Sequence, residues 1–247
     1  MEAFEEFFRL LRADYGIDLT IAYDEFDRTR FLWGVWTTIK LSVLSIFFSL
    51  IIGAVGAWVQ GSPWRILRAL VGFFIAFFRN TPPLVQLYFF FFAIGTVLRF
   101  TNDAGLPQPL VSNFGWAVIS LSLFAGALNV EIFRSGIEAV PESTIEAATS
   151  LGFTRFQIYF YISLPLAIRV SLPALGTNLV NLVKTTTLAY AIAVPDILYV
   201  SAQIWSNELN VREMMNVLLI TYILLVAVLV WALDRWEKSM RIPGYGG

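Results

Sequence analysis

Residues 31–58 read FLWGVWTTIKLSVLSIFFSLIIGAVGAW, 28 residues with a single ionisable side chain, Lys40. A helix crosses the roughly 30 Å hydrocarbon core of a bilayer with about 20 mostly apolar residues. This stretch therefore predicts a first membrane span. Near its end, Gly53 and Gly56 alternate with Ala54 and Ala57, and such small residues let a second helix approach closely. Gln60-Gly61-Ser62-Pro63 then breaks the pattern.

The next apolar stretch, residues 66–98, is longer than one straight crossing requires. At about 1.5 Å per residue it would reach roughly 50 Å. Arg79-Asn80-Thr81-Pro82-Pro83 interrupts it. Proline lacks a backbone donor and collides with the preceding turn, so a break is expected there. Inside a membrane such a break is tolerated only where protein or a water-filled path surrounds it. Further spans are predicted at 114–133, 162–194 and 214–233. The segment 99–113, punctuated by Asn102, Gly105, Pro107 and Pro109, reads as a loop. Two polar loops follow, at 134–159 and 195–212.

Composition agrees. Of 247 residues, 57% are hydrophobic and only 14% charged, about half the usual share of roughly a quarter. The net charge of −1 supplies no field for nucleic acid. There is no Cys and no His. Thiol chemistry, iron–sulfur clusters and the commonest metal ligand are thereby excluded. No G-x-x-x-x-G-K-[ST] occurs, so this chain does not hold ATP in a P-loop. No G-x-S-x-G occurs, and H-E-x-x-H is impossible without His, so a membrane enzyme has no catalytic set. The expected fold class is an all-α integral membrane protein with five transmembrane helices, and no solenoid repeat interrupts it.

Residues 1–30 are acidic, and they lack the basic start and apolar run of a signal peptide. Phe4, Phe7, Phe8 and Leu11 share one helical face. That face suits an interfacial helix on the membrane surface, or equally a segment packed on the protein itself. The basic residues Arg65, Arg68, Arg235, Lys238 and Arg241 set the orientation by the excess of Lys and Arg in cytoplasmic loops. The C-terminus and the 134–159 loop are expected in the cytoplasm, and the N-terminal segment outside.

Several polar residues fall within spans. A central lysine costs about 2.5–3.5 kcal/mol on insertion scales, so Lys184 is expected to meet a substrate carboxylate or a structural partner. Thr177, Asn181, Lys184 and Thr185 share one face, with Asn178 beside it and Thr187 beyond. This set reads either as a substrate path or as interhelical glue. Arg79, before the break, suits an anionic group or the freed carbonyls of the broken helix. Glu131 and Arg134, at i and i+3, are expected to pair locally. The aromatic run 88–92 reads as lipid-facing or packing surface.

The 134–160 loop carries Glu146-Ala147-Ala148-Thr149-Ser150-Leu151-Gly152, nine residues, then Ile162-Ser163-Leu164-Pro165. Glu142-Ser143-Thr144 is expected to cap a short helix. Ala147, Ala148 and Leu151 are expected on one side of it, and Gly152 as a left-handed terminator before a second short helix at 153–157. This pattern, E-A-A-x-x-x-G, nine residues, I-x-L-P, resembles the coupling loop of ATP-driven (ABC-type) importer permeases. Arg79-Asn80-Thr81-Pro82-Pro83-Leu84-Val85-Gln86 resembles the R-G-T-P-L-L-V-Q element of the polar amino-acid subfamily, with Asn80 at the Gly. Thr37 to Ile46, Glu131 to Ile137 and Leu182 to Leu188 are similar to other elements of it.

The resemblance covers 31–247 and implies a type I importer permease fold, following an N-terminal segment at 1–30. It implies that Glu146, Ala147, Ala148, Leu151 and Gly152 dock on an ATPase subunit. It further implies an ATPase dimer that carries ATP and Mg, with no cofactor on this chain. The other partners would be an identical or paralogous permease and an extracytoplasmic substrate-binding protein. The location would be a bacterial or archaeal inner membrane. Polar amino acids are the expected solute. Opines, amino-acid conjugates or another small solute form one alternative, and an ion-coupled transporter or channel a second.

Overall fold

The computed structural model describes residues 2–101 and 105–240, without the side chains of Glu2, Phe4 and Met240. The first elements are α1 (Glu2–Tyr15), α2 (Thr20–Tyr23), α3 (Glu25–Gln60), α4 (Arg65–Asn80) and α5 (Pro83–Tyr88), the last extended by π-type turns over Phe89–Ile94. Two short antiparallel strands, β1 (Arg99–Thr101) and β2 (Pro107–Pro109), pair Phe100 with Gln108. This hairpin lies inside the segment 99–113 that the sequence marks as a loop. The chain continues as α6 (Asn113–Glu138), α7 (Glu142–Ser150), α8 (Arg155–Ile158), π-type turns, α9 (Leu164–Thr185), a 3-10 segment (Thr186–Ile192), α10 (Ile197–Glu208) and α11 (Val211–Met240).

Among the described residues, four helices are long and apolar enough to cross a membrane: Glu25–Gln60, Asn113–Glu138, Arg155–Ile192 and Val211–Ser239. They correspond to the first, third, fourth and fifth expected spans. The second expected span is broken where Pro82 and Pro83 predict. Thr81 is extended, at φ −114° and ψ 142°, between α4 and α5. Neither piece alone has the length of a crossing, so the structure does not by itself give five spans. The expected polar loop at 195–212 is instead largely helical, as α10. The reason lies in Asp196, which caps that helix by accepting from the Tyr199 amide at 2.8 Å.

The chain divides into two compact units. The first comprises everything up to Leu44, with Leu87–Ile119 and Val183–Ala227. Its core gathers Phe31, Val200, Ile204 and Met214, flanked by Ile21, Val35, Trp205 and Val217. The N-terminal residues belong to this unit. The Asn210 amide donates to the Asp18 carbonyl at 3.1 Å, Arg28 pairs with Glu5 at 3.3 Å, and Arg30 bonds Gln203. Phe7 and Leu10 stay more than half exposed, so the apolar face of α1 is only partly covered. Phe4 of the expected face lies outside the described side chains.

The second unit comprises Ser45–Gln86, Ser120–Leu182 and the chain from Val228 on. Here α6 packs directly on the α3 backbone at Gly53 and Gly56. A methyl group at Gly53 would collide with Asn129, and one at Gly56 with Val130. Helices α6 and α9 are equally close: the Ser171 hydroxyl donates to the Ile132 carbonyl at 3.2 Å.

Candidate functional site: an exposed loop and a polar helix face

The α7–α8 segment is held in shape by its own termini. After Ser150 the chain closes with the Gly152 amide on the Thr149 carbonyl at 3.0 Å and the Phe153 amide on the Ala148 carbonyl at 3.1 Å. This two-bond closure needs a left-handed residue at its centre. Gly152 supplies it at φ +82°. Thr154 then starts α8 with a reciprocal cap: its hydroxyl accepts from the Gln157 amide, and Gln157 accepts from the Thr154 amide at 2.9 Å.

Two details differ from expectation. Pro141, not Glu142, Ser143 or Thr144, occupies the cap position of α7, with no side-chain cap bond. Glu142 sits in the first turn, where negative charge favours the helix dipole. Ala148 is buried against its own chain, whereas Glu146, Ala147, Leu151 and Gly152 are exposed. Leu151 is 78% and Phe156 70% exposed. A small loop that holds large apolar side chains in solvent beside Glu146 is a surface fit for a protein partner.

The face of α9 sorts the other candidates. Thr177, Asn181 and Lys184 are exposed, at i, i+4 and i+7, while Thr185 and Thr187 are half-buried. The Thr187 hydroxyl donates to the Lys184 carbonyl at 2.9 Å, and that of Thr177 to the Pro173 carbonyl at 3.1 Å. Asn178 stands apart. It is buried, and its amide donates to Asn129 Oδ1 at 2.7 Å and to the Ala125 carbonyl at 3.1 Å. Asn129 in turn donates to Ser49 Oγ at 3.2 Å, and Ser49 to the Ile46 carbonyl at 2.8 Å. The chain of bonds ties α9, α6 and α3 together and ends on the Ile46 carbonyl.

Arg79 and Glu131 form an ion pair between α4 and α6. This overturns the local Glu131–Arg134 pair. Arg134 instead meets Glu138 at 2.9 Å, one turn on along its own helix. Spacing of i, i+4 suits an Arg–Glu pair as well as i, i+3 does, so α4 decides the outcome by bringing Arg79 to Glu131. The carbonyls at the break are met by Gln86, not by Arg79. The Gln86 amide nitrogen lies 2.9 Å from both the Phe78 and Thr81 carbonyls. Gln86 closes the Arg79–Gln86 run, so its place beside the break is visible in the sequence.

Asp196 was not singled out from sequence. It is fully buried, and Oδ2 has no hydrogen-bond partner among the described residues. Burial pushes its carboxyl up to about 7, against the pull of the Tyr199 and Leu198 amides. Lys40 lies 5.9 Å from the Trp36 ring centroid and 5.8 Å from that of Phe114, a cation flanked by aromatic faces. No group of three or more acidic side chains capable of holding a metal occurs among the described residues.

The model of one family, binding-protein-dependent transport system inner membrane component, matches residues 45–242. The chain is 31% identical to the probable amino-acid permease protein YxeN of Bacillus subtilis, over 83% of this chain and 89% of that one. It is 26% identical to the glutamate/aspartate import permease protein GltJ of Escherichia coli, over 95% and 98%. Among solved structures, an amino acid ABC transporter crystallised with histidines superposes with a TM-score of 0.75 at 26% identity, covering 86% of this chain and 94% of that one.

Proposed function

This chain belongs to the family of binding-protein-dependent transport system inner membrane components, and from that membership we propose that it carries polar amino acids across the membrane. It is the permease subunit of an ATP-driven importer, with the fold of type I importer permeases, and the ATPase is a separate subunit. A substrate-binding protein and an ATPase are the general partners of such permeases.

The exposed α7–Gly152–α8 loop is the observation that carries the reading. It lies between two long apolar helices, as the coupling loop of this family does. Glu146, Ala147, Leu151 and Gly152 dock on the ATPase, with Ala148 anchoring the loop from beneath. Closure of an ATPase dimer draws two such loops together and opens the path outward; hydrolysis resets it.

Lys184 supports a path along α9. An ammonium at mid-span is costly against lipid, so its exposure on the single subunit calls for a second permease or a water-filled route beside it. Thr177, Asn181 and Lys184 line that route, with Thr185 and Thr187 at its edge. Lys184 receives the carboxylate of the solute. Asn178 holds the helices together. Helices α4 and α5 count as one broken crossing, which makes five. The N-terminus is then outside and the C-terminus cytoplasmic, in the inner membrane of a bacterium or archaeon. The chain itself binds no cofactor. The second permease is either identical or paralogous.

The test is ATP-dependent uptake of radiolabelled amino acids into proteoliposomes holding the permease, its ATPase and its binding protein. Uptake that persists without the ATPase would turn the assignment to an ion-coupled carrier. ATP-dependent uptake of opines but not amino acids would keep the importer and change the solute.

A further inference from the structure

We infer that the second unit holds a binding site for the zwitterionic head of an α-amino acid, in a pocket of about 360 Å³ built around Arg79, Glu131 and Arg134. The inference rests on the amino-acid reading above and adds a site that the α9 face does not include. Gln60, Gly72 and Asn80 complete the polar part of the wall.

The chemistry follows from what the pair leaves open. Arg79 meets Glu131 through one guanidinium nitrogen, Nη1, and one carboxylate oxygen, Oε2. A guanidinium has five N–H donors and a carboxylate two acceptor oxygens, so each keeps capacity for a ligand. Their side chains are 45% and 32% exposed. Arg134 adds a second guanidinium, 44% exposed. A ligand with one carboxylate and one ammonium, about three bonds apart, satisfies both signs: the carboxylate on the arginines, the ammonium on Glu131. A purely anionic ligand would bring no cation to the open oxygen of Glu131.

Size and lining favour a small solute. The volume lies at the lower end of the roughly 300–1,000 Å³ usual for small-molecule sites. Only Ile75 and Ala76 among the lining residues are larger apolar or methyl side chains, which leaves little to hold acyl chains. Gly72 keeps the space open. A Cβ there would meet nothing closer than the Gln60 amide nitrogen at 4.0 Å, so a side chain can start from this wall without displacing a neighbour. Gln60 and Arg134 stand near the ends of α3 and α6 that the proposed orientation turns to the cytoplasm, which puts the site on the release side.

The test uses the assembled permease–ATPase complex in phosphatidylcholine nanodiscs, without binding protein, in a Lys184→Met background that removes the α9 contact. Binding of tritiated L-glutamate, L-glutamine and L-histidine is measured separately by scintillation proximity. At least one should bind saturably, and its N-acetyl and carboxamide derivatives should compete at least tenfold more weakly. Arg134→Gln and Gly72→Leu should each weaken binding at least tenfold, while Lys238→Gln, outside the pocket, should not. Gly72→Leu keeps every charge and raises helix propensity, so its effect cannot be assigned to a lost ion pair. Binding that survives both pocket variants, or no saturable binding, overturns the site. Competition by phosphatidylglycerol added to the nanodisc, with equal potency of the blocked derivatives, assigns the pocket to a lipid and overturns it too. Failure of wild-type amino-acid uptake with binding protein present would instead sink the amino-acid reading itself.

Discussion

Asn178 Nδ2 donates to Asn129 Oδ1 at 2.7 Å, joining α9 to α6 inside the second unit. Both side chains are buried. Interhelical hydrogen bonds in membrane proteins contribute about 0.6 kcal/mol on average and up to roughly 1.7. This one is expected above that average, because each amide has further partners that would be orphaned. Asn178→Ala and Asn129→Ala should each lower the unfolding midpoint in detergent. The double variant should be less unstable than the sum, by a coupling of about 1 kcal/mol. Additive effects would remove the bond as a determinant of stability.

Gly152 sits at φ +82° with open space where a side chain would stand. Gly152→Val meets no neighbour, yet forces a β-branched residue into the left-handed region at a cost of about 1–3 kcal/mol. The α7 closure should open and displace Leu151. We expect normal membrane insertion, weakened ATPase association, and hydrolysis uncoupled from uptake. Glu146→Lys should give the same result through charge. A co-purification assay with normal ATPase recovery from both variants would remove the docking role.

Lys184→Met keeps the bulk and removes the charge. The complex should assemble and hydrolyse ATP while uptake falls by at least tenfold. An unstable or absent complex would make Lys184 a structural partner. Undiminished uptake would take it out of the path.

Asp196 carries a pH signature. Its carboxyl titrates near 7 in the folded protein against 3.8 ordinarily. Between those values the folded chain holds a proton that the unfolded chain has lost, so stability falls as pH rises through the window and levels above it. At about 1.4 kcal/mol per unit the total is roughly 4 kcal/mol. Asp196→Asn retains an oxygen to cap Tyr199 and removes the ionisation. Melting temperatures from pH 5 to 8.5 should decline for the wild type and stay flat for the variant. Parallel curves would place the titration elsewhere.

The orientation predicts an external reporter when inserted at Gly105 and a cytoplasmic one when fused to the C-terminus. A C-terminal reporter found outside would reverse the proposed topology.

Much of this was legible before any coordinates. The long apolar runs, the break before Pro82, the glycines of α3 and the Gly152 turn are local or periodic features. Each depends on a few residues adjacent in sequence or on one helical face, and hydrophobicity, proline geometry and left-handed backbone act at that range. The α10 helix is not legible in sequence because Ile197–Glu208 mixes polar and apolar residues without a clean apolar stripe. Its start depends on a cap that only the fold buries.

Sequence alone thus determined that the chain holds helices apolar enough for a membrane, that the apolar stretch 66–98 breaks before Pro82, and that the 134–160 loop turns at Gly152. Tertiary structure decided which side chains meet. Glu131 pairs with Arg79, 52 residues away, and not with Arg134 three residues on. Asn178 is buried while Asn181, less than one turn further along the same helix, is exposed. Neither outcome follows from spacing. Helical periodicity places a residue on a face, but only the packing of the neighbouring helix settles whether that face meets a partner or stays open.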